Sequence, residues 1–406
     1  MTSLTLTAQA ARRALEGVIP PGLDDEATLE RFARAVWSSL AEPGDAVAGA
    51  LVAALGAVGA LRGLTGEHLL PAPSGIEGLD AGLSRWMPRL AAEPVEASLA
   101  SARRSGVRLV TPGDAEWPEG LDDLGVHAPL ALWARGDAQV LCRRPSTVAI
   151  VGARASTAYG DQVAVELAGE LAADGVLIVS GGAYGIDGAA HRAALGSGGS
   201  TVAFLAGGVD RPYPSGNTHL LERVAGHGAL VAELPCGAAP TKWRFLQRNR
   251  LIAAFAQATV VVEAGWRSGS LNTAGHAAQL SRGLGAVPGP ITSATSAGTH
   301  RLLREYGAAC ITGAADVREL LGVRVGAPEA ADPGERTADP ERGRTDDATR
   351  VRDALSVRTP RSVEELARRS GMSYDGVSAV LGLLALDGSA RRRPEGWMRA
   401  PSSPTR

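Results

Sequence analysis

Residues 242–250 hold the densest chemistry in the chain. Lys242, Arg244, Arg248 and Arg250 bring four positive charges, Trp243 and Phe245 bring two rings, and no acid intervenes. Cations neutralise phosphates, and a ring stacks on an unpaired base for about 1–3 kcal/mol, whereas duplex bases already stack on one another. The segment therefore suits a single strand. The alternative is an amphipathic helix start with Trp243 and Phe245 in the core. Lys242 is the only lysine among 41 basic residues. A GC-rich genome explains the arginines and leaves the lysine to be explained.

Further phosphate chemistry lies in short Gly/Ser segments that follow apolar runs. They are Gly152-Ala153-Arg154-Ala155-Ser156, the run from Ser180 through Gly181 and Gly182 to Gly188, Gly207-Gly208-Val209-Asp210 with Tyr213 to Asn217, and Ser268-Gly269-Ser270. Exposed N–H groups at helix N-termini hold phosphates through the backbone and the helix dipole. A dinucleotide site would place an acid at the end of the following strand, and here that strand ends in Ala206-Gly207-Gly208. No GxxxxGK[ST] loop occurs either, so NAD and ATP are disfavoured and no cofactor is expected. Candidate catalytic groups are few. Asp187 and His191 are four apart, and Asp210, Glu233 and Glu263 stand near strand ends. Such groups more often cap helices or hold loops than move protons. Cys236 has no histidine partner in sequence, and no metal site is expected.

Those loops need a sheet to bring them together. Near-continuous apolar runs at 148–151, 176–180, 201–205, 229–232, 259–263 and 285–287 read as parallel strands covered on both faces. Helical stretches at 161–174, 188–194 and 272–283 fall between them, which predicts a doubly wound, mostly parallel α/β sheet. Ligands of such sheets bind outside the carboxyl ends of the strands, where the small-residue loops lie. Upstream, residues 8–105 are helical in pattern, with Leu29, Phe32, Ala33 and Val36 on one face, a cap at Asp24 or Asp25, and a buried apolar helix at 46–61. Downstream, helical patterns at 348–355, 362–369 and 374–386 precede a ribbon at 390–398 that carries Arg391, Arg392 and Arg393. Ser362 opens the second helix and Gly371 stops it. This order predicts a winged helix, serving either DNA or protein contact. The expected domains are 1–105 (all-helical, SAM-like), 107–325 (extended Rossmann), a flexible linker at 326–346 rich in Pro, Gly and charge, and 347–400 (winged helix).

Composition sets outer bounds. The 406 residues carry a net charge of −2, so any nucleic-acid surface must be a local patch on a neutral body. Hydrophobic residues make up 45% and aromatics only 4%, so the core is built of Ala, Val and Leu over closely approaching backbones. Three dispersed cysteines, no apolar leader and no comfortable membrane span predict a cytoplasmic protein without a membrane partner.

Taken in order, these loops resemble the DNA-processing protein A family (DprA, also called Smf). Residues 148–156 resemble its opening G-[SA]-R turn, 180–191 its SGxAxGID-x-x-AH block and 207–217 its GGxDxxYPxxN block. Residues 233–237 resemble E-x-P-x-G, 245–252 resemble F-x-x-RNR-x-I, and 262–274 resemble V-E-A-x-x-x-SGSL-x-TA. Tyr184 stands where a basic residue is common, and Leu246 where a proline usually follows Phe245. The resemblance covers about residues 107–323. It implies an extended Rossmann protein that binds single-stranded DNA without catalysis, forms dimers and loads the RecA recombinase during transformation or recombination. By motif position it implies DNA contact by Arg154, Lys242, Phe245, Arg248 and Arg250. Arg154 and Lys242 would hold phosphates, Phe245 would stack on or wedge a base, and Asn249 would fix the pocket. Gly152, Gly181 and Gly182 would admit a phosphate to the backbone, with Ser156, Ser268 and Gly269 lining the same site. Two other readings differ in class. A nucleoside-monophosphate phosphoribohydrolase of related fold would need a glutamate in the helix turn after Gly265, and none is there. A winged-helix transcriptional regulator would read duplex DNA through residues 346–406.

Overall fold

The computed structural model describes residues 5–66, 75–142, 146–322 and 347–400. The expected linker at 326–346 lies outside these residues.

Helices α1 (Ala8–Leu15), α2 (Asp25–Leu40), α3 (Ala46–Leu64), α4 (Leu79–Trp86) and α5 (Ala92–Arg104) form the N-terminal region. Asp24 caps α2 by accepting from the Ala27 N–H at 2.7 Å, and Asp25 sits in the first turn, where an acid favours the helix dipole. The apolar segment expected as one buried helix is broken. Gly56 adopts φ 70° and ψ 162°, which no continuous helix permits. Glu30 heals the break by accepting from the N–H groups of Ala57 and Val58, each at 3.3 Å. Among the described residues α3 is the one helix long and apolar enough to cross a membrane. Its buried residues, Leu51 and Leu61 among them, pack instead with Trp37 and Trp86, whose rings meet edge to face at 5.1 Å.

The central sheet has nine strands: β1 (Val107–Val110), β2 (Leu132–Gly136), β3 (Thr147–Val151), β4 (Leu177–Ser180), β5 (Thr201–Leu205), β6 (Ala229–Ala232), β7 (Ala258–Val261), β8 (Gly283–Ala286) and β9 (Ala309–Cys310). Their order is β1-β2-β6-β5-β4-β3-β7-β8-β9. β3 to β9 are parallel throughout, while β1 and β2 add an antiparallel edge. The fold is the expected doubly wound α/β sheet, flanked by N-terminal helices and a C-terminal winged helix. Helices α6 (Ala158–Ala173), α7 (Ile186–Gly196) and α12 (Ala314–Leu320) cover one face of β3, β4 and β7. Helices α9 (Lys242–Phe255), α10 (Ser270–Gln279) and α11 (Ala297–Glu305) cover the other, while α8 (Thr218–His227) leads into β6. The chain leaves β3 toward β4 and leaves β7 toward β8, so their carboxyl ends flank the switch point where a crevice opens.

Beyond the sheet, α13 (Asp347–Ala354), α14 (Val363–Ser370) and α15 (Tyr374–Leu386) precede a ribbon of β10 (Ala390–Arg393) and β11 (Gly396–Arg399). Ser362 caps α14 through the Glu365 N–H at 3.2 Å, and Gly371 ends it at φ 68°.

Candidate nucleic-acid interface

Helix α9 passes from the surface into the body, and its side chains divide accordingly. Thr241 caps it by accepting from the Arg244 N–H at 3.2 Å. Lys242 is exposed in the first turn, and Phe245, one turn on, is half-buried. From Arg248 onward the helix lies inside.

Phe245, Arg154 and Tyr213 meet at the switch-point crevice. Arg154, in the loop after β3, places its guanidinium 4.6 Å from the centre of the Phe245 ring. Tyr213 approaches the same ring from the loop after β5, with centroids 5.9 Å apart and planes inclined at 56°. Half of Tyr213 faces solvent. Tyr184 is also exposed, and its hydroxyl accepts from the Gly216 N–H at 3.1 Å. The result is a ring ledge with the exposed Arg154 guanidinium over it and that of Arg248 5.8 Å from the ring centre, the chemistry that suits a planar ring joined to an anion.

The other residues named from sequence hold this ledge rather than line it. Arg248 is buried, and its Nη1 donates to the carbonyls of Gly181, at 2.8 Å, and of Phe204. Burial pulls its guanidinium down to about 10, against the pull of Asp187. Arg250 is buried too. It donates to the carboxylate of Glu233 at 2.8 Å and to the carbonyls of His127 and Gln247, each at 3.0 Å. Arg244 turns inward to Glu42 at 2.7 and 3.0 Å. Of the four cations in this segment, only Lys242 is exposed. Asn249 donates to Gly269 O at 3.2 Å and to Asn272 Oδ1 at 3.3 Å, tying α9 to the loop that opens α10.

The glycines likewise make room for protein. A Cβ at Gly181 would lie 2.2 Å from the Arg248 guanidinium, one at Gly152 would strike Ile186 at 2.6 Å, and one at Gly182 Leu221 at 2.8 Å. Gly269 alone of the four faces open space. Ser156 bonds Asp161 at 2.5 Å, and Ser268 pairs with Ser270 at 2.8 Å.

The acidic candidates are held in loops. Asp187 accepts from the Gly181 N–H at 3.1 Å, and burial raises its carboxyl against the pull of Arg248. Glu263 accepts from the Thr157 N–H and Oγ1, at 2.9 and 2.7 Å, and so joins the loops after β3 and β7. Asp210 accepts from the Gly237 N–H at 2.9 Å and from Ser101 at 3.0 Å. His191 is buried against Thr201 at 2.8 Å, and burial drops its imidazole to about 3. Burial pushes the Cys236 thiol up to about 12. Two residues of the Tyr213–Asn217 loop, given no role of their own from sequence, matter here. Tyr213 shares the ring ledge, and Asn217 donates to Gly182 O and Ala183 O at 3.1 and 2.9 Å. An aromatic beside a proline in a glycine-rich loop was the available signal for Tyr213.

Residues 108–322 match the family model described as DNA recombination-mediator protein A, and 335–396 match a DprA winged-helix model. The chain is 44% identical over 382 residues to a DNA processing protein DprA of Mycobacterium tuberculosis, covering 89% of this chain and 92% of the relative. The DNA processing protein DprA of Bacillus subtilis is 36% identical over 226 residues, 56% of this chain and 75% of that one. The X-ray structure of DNA processing protein A from Streptococcus pneumoniae is similar at a TM-score of 0.57 and 28% identity, over 71% of this chain and 97% of that one. The chain belongs to the DNA recombination-mediator protein A family.

Proposed function

We propose that this protein binds single-stranded DNA at the ledge formed by Lys242, Phe245, Arg154 and Tyr213, and delivers the strand to a RecA recombinase as a non-catalytic homodimer in the cytoplasm. The observation that carries the reading is the half-buried ring of Phe245 under the exposed Arg154 guanidinium, on the helix whose first turn exposes Lys242, at the switch point of a family built to process DNA. A partly exposed ring favours unpaired bases, since a duplex offers no free face. Lys242 and Arg154 hold phosphates, while Arg248, Asn249 and Arg250 position the helix that carries the ring. The carboxylates near the strand ends are engaged in holding loops, which gives glycoside hydrolysis no support. Cys142, Cys236 and Cys310 are free thiols, in keeping with a reducing compartment.

The test is fluorescence anisotropy with oligothymidylate and a matched duplex over a salt series. Tight, salt-sensitive binding to the single strand and weak binding to the duplex is expected. Lys242→Ala with Arg154→Ala should lower single-strand affinity at least tenfold and cut the salt slope by about 1.4, at about 0.7 per phosphate. Unchanged affinity in that folded double variant removes the ledge as the site.

A further inference from the structure

The winged helix is seated on the head of α9. Arg89 Nε and Nη2 reach Arg368 O at the end of α14, at 3.0 and 2.6 Å. Arg350 of α13 stacks 4.5 Å from the centre of the Trp243 ring, and donates to Ser370 O at 2.8 Å and Gly371 O at 3.2 Å. At Gly371 the backbone closes on Glu42 so tightly that a Cβ there would lie 2.2 Å from Glu42 Cγ. These contacts join three parts of the chain at the end of the site where Lys242 stands.

The charge at that seam is lopsided. Asp353 of α13 lies within electrostatic reach of Lys242, and also of Arg399 of β11 and Arg352. Arg352 also stands 3.8 Å from Asp387, so two carboxylates among three cations leave positive charge in excess. Arg399 pairs in the ribbon with Ala390, and the next three residues of β10 are Arg391, Arg392 and Arg393, all exposed. The third helix tells the opposite story. α15, the helix that enters the major groove in helix-turn-helix proteins, contains no basic residue, and it exposes Leu383 and Leu386 by 63% and 87%. Its exposed polar side chains are Tyr374, Asp375 and Ser378, which bring no positive charge to a phosphate backbone. The ribbon has the opposite equipment, three exposed guanidiniums in a row to meet phosphates.

We propose that the docked winged helix lengthens the strand-binding surface, so that a single strand held at Lys242 continues past Arg399 onto the ribbon of Arg391, Arg392 and Arg393, which hold its phosphates without reading sequence. This rests on the proposed single-strand function and adds to it a second phosphate track.

The experiment compares oligothymidylates of about 8 and about 30 nucleotides, the shorter within the range of a single binding site. The proteins are the full chain, R391A/R392A/R393A, the matching triple lysine variant, and Arg350→Ala. The alanine variant should bind the short strand within about twofold of wild type. On the long strand it should lose at least tenfold in affinity and about 2 in salt slope, at about 0.7 per phosphate. The lysine variant should keep both values, because charge alone is at work. Arg350→Ala should lower the long-strand slope with the ribbon intact, since the docking holds the ribbon in line. An unchanged long-strand slope in the alanine variant overturns the track, and tighter binding shows a wing that obstructs the strand. Failure of wild type to bind either strand rejects the single-strand reading itself, an outcome distinct from loss of the track alone.

Discussion

At the scale of single residues, identity and spacing gave the chemistry, and depth decided which groups are open to a ligand. Lys242, Arg244, Arg248 and Arg250 read alike in sequence, yet α9 sinks into the body after its first turns and three of the four are consumed inside. Arg248→Ala is therefore a stability variant. It strips donors from the carbonyls of Gly181 and Phe204 and leaves Asp187 without its neighbouring charge, which costs about 3 kcal/mol. Calorimetry should show its melting temperature falling by about 5 °C, while Lys242→Ala stays close to wild type. Phe245→Ala should behave in the opposite sense, losing about 1–3 kcal/mol of single-strand affinity with little change in melting. Phe245→Tyr should restore the affinity, and an equal loss in both variants means that stacking is not what the ring supplies. The family motifs marked the segment, but nothing in a linear pattern says how deep a helix runs.

At the scale of elements, legibility followed burial. β3 to β8 are covered on both faces, so each shows an apolar run that announces a parallel strand. β1 and β2 belong to an antiparallel edge and β9 is two exposed residues, which leaves a weaker trace. The caps at Asp24 and Ser362 were legible because a side-chain oxygen one turn before an apolar run has a local purpose. The break at Gly56 was not, since its repair comes from Glu30 on another helix. Glu42 is a similar long-range device. It follows α2, is fully enclosed, and accepts from Arg89 and from Arg244 of α9. Burial alone would raise its carboxyl, but the two guanidiniums outweigh burial and hold it at about 2. Its folded value lies below the unfolded 4.5, so its contribution is fully present above pH 4.5 and is lost as pH falls toward 2. The loss amounts to about 3 kcal/mol. Urea midpoints at pH 7 and pH 3 should separate wild type from Glu42→Gln by much less at the lower pH. A constant gap across that window means that the pair of guanidiniums does not hold the carboxylate.

At the scale of the whole molecule, helices and sheet are not independent bodies. One apolar cluster runs from Leu15, Trp37 and Leu61 of the N-terminal helices to Trp133, Leu205 and Leu230 of the sheet. Trp133 reinforces it by donating to Ser38 at 3.2 Å, and Arg250 and Glu233 extend the junction through Gly44. Removing residues 1–105 would leave that face of the sheet bare, an apolar surface of the kind that drives aggregation. The winged helix differs, because Val351, Leu366, Val377 and Leu381 give it a core of its own. Its seat on α9 is made mostly of polar and cation–ring contacts, which are weak beside a shared core. Calorimetry of the full chain should therefore resolve two transitions, one for helices and sheet together and one for the winged helix. A chain ending at residue 322 should keep the first transition within a few degrees and lose the second, while one beginning at residue 106 should fail to stay soluble. Three separate transitions, or a soluble sheet without its helices, would mean that the shared cluster does not bind the two into one cooperative unit. The arrangement suits the proposed holding of a strand: the ledge is carried on the rigid unit, and the winged helix is attached through contacts that break at lower cost.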